Sequence, residues 1–209
     1  MRHWLFHPVI FYPLAALFAA FVIAVSLKPQ AWPRPPAPVA GAIAQDALLL
    51  ERDAFNAPDP GAGQHMTVTR DFWGRAQSLR IAQLPNQTAP SSDEHGVRVM
   101  LAPEGAALLQ GKPLLVEVTY NPLPINAATG LAVSLRGDGA SDWVSQPAPP
   151  QPGRLSFELP ASADANAIGL RALSEGTDQA YGLEITRIRV SPRPAPPPAI
   201  PAPAPSPGD

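Results

Sequence analysis

The chain has 209 residues, a formal net charge of −2, 29 prolines and no cysteine. The lack of cysteine excludes a disulfide framework, a thiolate metal site and a cysteine nucleophile. Between Asp46 and Ser191 there are 16 acidic against 11 basic residues, a balance of −5 that gives this part no electrostatic reason to seek nucleic acid or anionic lipid.

Residues 1–7 form a short head carrying Arg2. Pro8 to Leu27, PVIFYPLAALFAAFVIAVSL, follows as twenty residues without a charge. At about 1.5 Å per helical residue it reaches roughly 30 Å, the hydrocarbon thickness of a bilayer. A cleavable signal would carry a shorter apolar run and a small-x-small site just behind it. Here Ser26-Leu27-Lys28-Pro29 follows, and Pro29 spoils the extended substrate a peptidase needs. The better match, Ala42-Ile43-Ala44, lies some fifteen residues too far downstream. The stretch is therefore expected to be an uncleaved transmembrane helix. Arg2 on one side and Lys28 with Arg34 on the other leave the positive-inside rule almost balanced. The short head before a single helix predicts a single-pass protein of a bacterial inner membrane, head in the cytoplasm and C-terminal domain in the periplasm. Pro8 falls in the first turn, Pro13 is expected to bend the helix modestly, and Trp4, Tyr12 and Trp32 are candidates for the interfacial belts.

Residues 28–45 are predicted to be a proline-rich stalk. Pro29 to Gly41 carries five prolines in thirteen residues, and polyproline II at about 3.1 Å per residue would lift a domain by roughly 40 Å. A matching tail, residues 192–209, contains nine prolines and is expected to stay unfolded, as a spacer or as a ligand for an aromatic groove.

Residues 46–191 have a period of two. Val97-Val99-Leu101, Val116-Val118-Tyr120, Leu131-Val133-Leu135, Leu155-Phe157-Leu159 and Ile168-Leu170-Ala172 each alternate with more polar or smaller residues. This is the pattern of half-buried antiparallel strands. Leu48 to Phe55, Met66 to Asp71 and Leu79 to Leu84 are further candidates. In the last strand, Tyr181 to Val190, Leu183 and Ile185 are out of phase with Ile188 and Val190, which predicts a bulge at Thr186 or Arg187. Pro103 to Gln110 is the one helical candidate in this region, a connector ending at Gly111. About nine short strands without intervening helices predict a mainly β fold, an antiparallel β-sandwich.

Catalytic motifs are missing: no His-Glu-x-x-His, nucleophile elbow, phosphate loop or dinucleotide fingerprint occurs in context. His65 and His95 fall on separate predicted loops, and the carboxylates are dispersed, so no catalytic residue, metal or cofactor is expected. Three loops stand out. Gly137 to Trp143 sets Asp138 and Asp142 beside Trp143 after a well-formed strand. Such a turn suits a cation or a sugar ring, or it is a hairpin whose Trp143 begins the next strand and caps the core. Asp71-Phe72-Trp73-Gly74-Arg75 places two aromatics before a glycine turn, either as a contact surface or as core aromatics entering the turn. Glu175 to Gln179 joins the last two strands as a hairpin loop. The candidate ligand contacts are Trp143, Asp142, Asp138 and Trp73. Outward-pointing Arg80, Arg98, Arg136 and Arg171, with Glu117 and Glu158, are expected to share one sheet face suited to a carbohydrate, a carboxylated polymer or a protein, or simply solvated by ion pairs.

The run Asn166 to Arg171, the turn at Gly176 to Asp178, Tyr181 to Ile185 and Ile188-Arg189-Val190 resemble the closing hairpin of galactose-binding-like jelly rolls, a superfamily that includes many carbohydrate-binding modules. The whole chain also resembles single-anchor membrane proteins of alphaproteobacteria, through its head, Asp71 to Arg75 and Trp143 to Pro147. That second resemblance is one of architecture and carries no activity. Together they imply a membrane-anchored, non-catalytic jelly-roll module with an envelope glycan as ligand. The alternatives are a structural subunit docking on another envelope protein and, further off, a polysaccharide hydrolase.

Overall fold

In the computed structural model the described residues are 7–27, 34–61, 64–86, 96–137, 142–176 and 178–193. Pro8–Leu27 forms one helix, α1, with Pro13 inside it. It is long and apolar enough to cross a membrane, and its apolar side chains are exposed rather than packed on the rest of the chain. Tyr12 is among them; Trp4 and Trp32 lie outside the described residues.

The alternating segments build two antiparallel sheets packed face to face, as expected. The first has seven strands: β1 (Ala42–Ala44), β2 (Ala47–Glu51), β3 (Gln64–Arg70), β4 (Ala76–Gln83), β6 (Leu114–Pro122), β9 (Gly153–Leu159) and β11 (Tyr181–Pro192). The second runs in the order β5 (Val97–Met100), β10 (Ala167–Leu173), β7 (Gly130–Arg136), β8 (Val144–Pro147). From β4 onward the chain changes sheet at every connection between strands except β7 to β8, the crossing pattern of a jelly roll. The helix α2 (Pro103–Leu109) bridges β5 and β6, with Pro103 in its first turn, where a missing N–H is harmless.

The core between the sheets is filled by the apolar half of each alternation. Leu48 and Leu50, Leu79 and Ile81, Val116 and Val118, Phe157 and Leu159, and Leu183, Ile185, Ile188 and Val190 face inward from the larger sheet. Val97 and Val99, Leu131, Val133 and Leu135, and Ile168, Leu170 and Ala172 meet them from the smaller one. Tyr120, buried among them, satisfies its hydroxyl by donating to Pro149 O at 2.9 Å, and burial raises its pKa.

β11 organises the larger sheet. One edge pairs with β6 along nearly its whole length, and β6 pairs in turn with β9. The other edge is split: Tyr181–Ile185 pairs with β4, and Arg187–Val190 pairs with β2. The split falls at the register shift between Ile185 and Arg187, so the expected bulge is Thr186. It returns Ile188 and Val190 to the core and leaves Arg187 and Arg189 on the outer face.

Three boundaries differ from expectation. The Leu48–Phe55 segment is a strand only to Glu51; Arg52 takes a positive φ of 50° and Arg52–Phe55 turns into a 3-10 helix that buries Phe55. The folded unit also begins before residue 46. Ala37 N–H donates to Ala57 O (3.1 Å), Val39 N–H to Met100 O (2.8 Å) and Ala102 N–H to Val39 O (2.9 Å). Ala42–Ala44 then pairs with β2 through a two-residue turn in which Gln45 and Asp46 both have positive φ. Prolines at 35, 36 and 38 are compatible with this because an extended chain docking along an edge needs few N–H donors. Residues 37–44 of the predicted stalk are thus paired with the sandwich. At the other end, β11 reaches Pro192 and Arg193 N–H donates to Pro113 O at 2.8 Å.

Candidate binding surfaces

The outward half of each alternation is where the two sheets part company. Arg80, Glu117 and Glu158 lie on the seven-stranded sheet, whereas Arg98, Arg136 and Arg171 lie on the four-stranded one. The single polar face expected from the sequence is thus two faces, because these strands belong to different layers.

On the seven-stranded sheet the outer face is wet and ion-paired. Glu117 on β6 sits between its cross-strand neighbours Arg189 of β11 and Ser156 of β9, with Arg154 two residues along β9. It accepts from Arg189 Nη1 at 2.8 Å and from Arg154 Nη1 at 3.2 Å. The Arg189 hydrogen bond, against the opposing effect of burial and with help from Arg154, holds the Glu117 carboxyl below its ordinary value. Arg187 pairs with Glu51 of β2 at 2.8 Å. Arg80 lies 3.7 Å from Glu184, whose carboxylate also accepts from Ser78 and Thr69.

Because β2 and β4 leave the same edge of β11 on either side of Thr186, the outer face is notched there. One depression of about 200 Å³ is lined by the β1–β2 turn with Leu49, Glu117, Thr119, Arg154, Arg187 and Arg189. A second, of about 360 Å³, is lined by Glu51, Arg52, Gln77, Thr119, Thr186 and Arg187. Thr119 and Arg187 line both, so the two lie side by side as a groove along the outer face, the first over β2, β11, β6 and β9 and the second at the gap between β2 and β4. Arg187 and Arg189, two residues apart, share a face by alternation alone; the bulge at Thr186 is what makes that face the outer one.

The four-stranded face is covered. Arg136 is 2% and Arg171 0% exposed, and Ser134 beside them is fully buried. Gly169, level with Ser134 across the β10–β7 pair, makes room: a Cβ there would stand 2.9 Å from Ser134 Oγ and 3.2 Å from Arg136 Cγ. Trp143, the residue before β8, lies over this face with its ring centroid 4.4 Å from the Arg136 guanidinium carbon, a cation–π stack. A Cβ on Gly96 would stand 2.6 Å from the Trp143 ring. Arg98 is fastened to Asp59 through Nε at 2.9 Å and through Nη2. Burial, and after it the charge of Arg98, lowers the Arg136 pKa; burial alone lowers that of Arg171.

The candidate contacts from the sequence therefore separate. Trp143 is half-buried against Arg136, on the outside of a sheet rather than capping the inner core, and Asp142 next to it is exposed. Asp138 lies outside the described residues, as does His95. Trp73 stands in the β3–β4 turn of the other sheet, paired with Phe72 edge to face at 5.2 Å, and both are 76% exposed. They are not core aromatics. In the β10–β11 connection Tyr181 donates to Asp178 Oδ1 at 2.7 Å, which raises the phenol pKa. Among the described residues, no three His, Asp or Glu side chains gather as a metal site would require.

No family model and no curated protein matches the chain. Solved structures overlap it at low similarity. The CBM1 of BiXyn10A in its apo form gives a TM-score of 0.45 at 12% identity, covering 69% of this chain and 96% of that one. The CBM22-1–CBM22-2 tandem of Paenibacillus barcinonensis Xyn10C gives 0.42 at 14%, covering 78% and 50%. The CBM22-1–GH10 modules of Clostridium thermocellum xylanase 10B, complexed with xylohexaose, give 0.39 at 14%, covering 71% and 29%. The chain spans half of the second structure's length and under a third of the third's. At these scores no ligand and no residue role passes from them to this chain.

Proposed function

We propose that this protein is a membrane-anchored, non-catalytic binding module whose sandwich domain holds a glycan of the cell envelope in the groove along the outer face of the seven-stranded sheet. The groove carries the reading. Its two adjacent depressions are lined together by four arginines, two glutamates, Thr119 and Gln77. Guanidinium groups donate to sugar hydroxyls or carboxylates in a fixed fork, and carboxylates accept from hydroxyls. Glu117 holds Arg154 and Arg189 in place, which spares the ligand the cost of ordering them. Helix α1 supports an anchor, and in this reading it is a single span in a bacterial inner membrane with the domain in the periplasm. Trp143 with Asp142, on the other sheet, is the second contact surface the reading allows.

The test is retention of the full-length protein on an array of bacterial envelope polysaccharides. Wild type is compared with Arg154→Ala/Arg187→Ala/Arg189→Ala and with Trp73→Ala/Trp143→Ala. Retention lost only in the arginine variant supports the groove. Retention lost only in the tryptophan variant moves the site to the tryptophans, and the single variants Trp73→Ala and Trp143→Ala then say which. A stable co-purifying envelope protein with no glycan retained would replace this reading by a docking subunit.

A further inference from the structure

The turn Asp71 to Arg75 is built to push two aromatics outward. Asp71 Oδ1 accepts from the N–H groups of Trp73 and Arg75, both at 2.9 Å, and Oδ2 accepts from Gln77 at 3.3 Å. Gly74 N–H donates to Asp71 O at 3.0 Å, Asp71 N–H donates to Arg75 O at 2.9 Å, and Gly74 takes the left-handed φ of 79° that closes the turn. With its backbone fixed this way, the turn presents Phe72 and Trp73 as a rigid apolar tip.

Two observations say what the tip faces. The first is where its base is tied. Arg70 Nη1 and Arg34 Nη2 both donate to Gly74 O, at 3.2 and 3.5 Å. Arg34 lies seven residues beyond Leu27, the last residue of α1. Even a fully extended chain of that length reaches only about 25 Å. The second is charge. Arg34 and Arg70 are cations at the base of the tip, Arg70 also donating to Asn56, while the nearby carboxylate of Asp71 is engaged by the turn's own N–H groups. The acidic balance of the whole domain hides this local positive charge.

We propose that the Phe72–Trp73 tip inserts into the headgroup region of the bilayer that α1 crosses, with the arginines on its lipid phosphates, so that the domain stands on the membrane in one orientation. Aromatics beside basic side chains suit that zone. Ile125 provides the contrast: it is equally exposed at 77%, but its neighbour Ala127 bridges to Gly182 at the far end of β4 from the turn that Arg34 holds. The inference rests on α1 being a membrane span.

Because the chain has no cysteine, single nitroxide labels report depth directly. Full-length Arg75→Cys, Ile125→Cys and Val22→Cys proteins are labelled in phosphatidylcholine vesicles with and without phosphatidylglycerol. Accessibility to oxygen is then compared with that to an aqueous nickel chelate. The expected result is an oxygen-favoured signal at 22, an interfacial one at 75 that deepens with the anionic lipid, and a fully aqueous one at 125. Adding Phe72→Ser/Trp73→Ser should shift position 75 to the aqueous value without moving 22. An aqueous signal at 75 in the unaltered tip, with 22 still buried in lipid, overturns the tip proposal and leaves the anchor standing. An aqueous signal at 22 overturns the anchor and the tip with it.

Discussion

The two outer faces of the sandwich carry the same residue type at equivalent places in the alternation and treat it in opposite ways. On the seven-stranded sheet Arg154 and Arg187 are half-exposed and paired with Glu117 and Glu51. On the four-stranded sheet Arg136 and Arg171 are buried, and Trp143 is laid over Arg136. Alternation tells which side of a strand a residue takes. It does not tell whether that side meets water, because covering a face is the work of loops and of residues such as Trp143 that lie outside the strands.

Substitutions on the two faces should separate them. Arg171→Ala should have the largest effect, a loss of about 3–5 kcal/mol in denaturant unfolding, since it empties a fully buried side-chain volume. Arg136→Ala should cost about 2–4 kcal/mol, because it removes both buried volume and the stack under Trp143. It should also shift the Trp143 emission toward that of a hydrated indole. Arg187→Ala, on the wet face, should cost no more than about 1 kcal/mol. Equal losses for Arg171→Ala and Arg187→Ala would remove the distinction between the faces.

Acid acts on the wet face through Glu117, whose pKa is lowered in the folded state, first by Arg189. Its contribution is therefore complete above the unfolded carboxyl value of about 4.3 and is lost as pH falls through the lower folded value. Unfolding measured from neutral pH down through this range should show stability falling, and Glu117→Gln should flatten part of that fall. An unchanged slope in Glu117→Gln would place the acid sensitivity elsewhere.

Much of the fold is legible in the sequence. The period of two locates most of the strands, and the phase break between Ile185 and Ile188 locates the bulge to within a residue, since only an inserted residue lets both halves bury their apolar sides. The short strand β1 escapes this reading, and β8 shows only as the strand that a hairpin at Trp143 would begin: three or four residues hold too few alternations to register. Residues 37–44, read as stalk from their proline content, pair with the sandwich because proline sets a preference for extension, and an extended segment docks on an edge as readily as it spans solvent. Of the candidate site, Trp143 and Asp142 do sit together at a strand entrance, but Trp143's partner, Arg136, lies on the preceding strand facing away from the core. The groove at Arg187 has no local signature because it depends on two strands sharing one edge of β11, a relation between distant segments.

If the open face of the seven-stranded sheet is the one that binds, a ligand must protect its backbone. Hydrogen–deuterium exchange on the full-length protein in detergent, with and without the envelope polysaccharide it retains most strongly, reads this directly. Slowed exchange is expected across the Gln45–Asp46 turn, Glu117–Thr119 and Thr186–Arg189. Slowed exchange confined to 142–147 and 167–171, or no change anywhere, would contradict binding at this face.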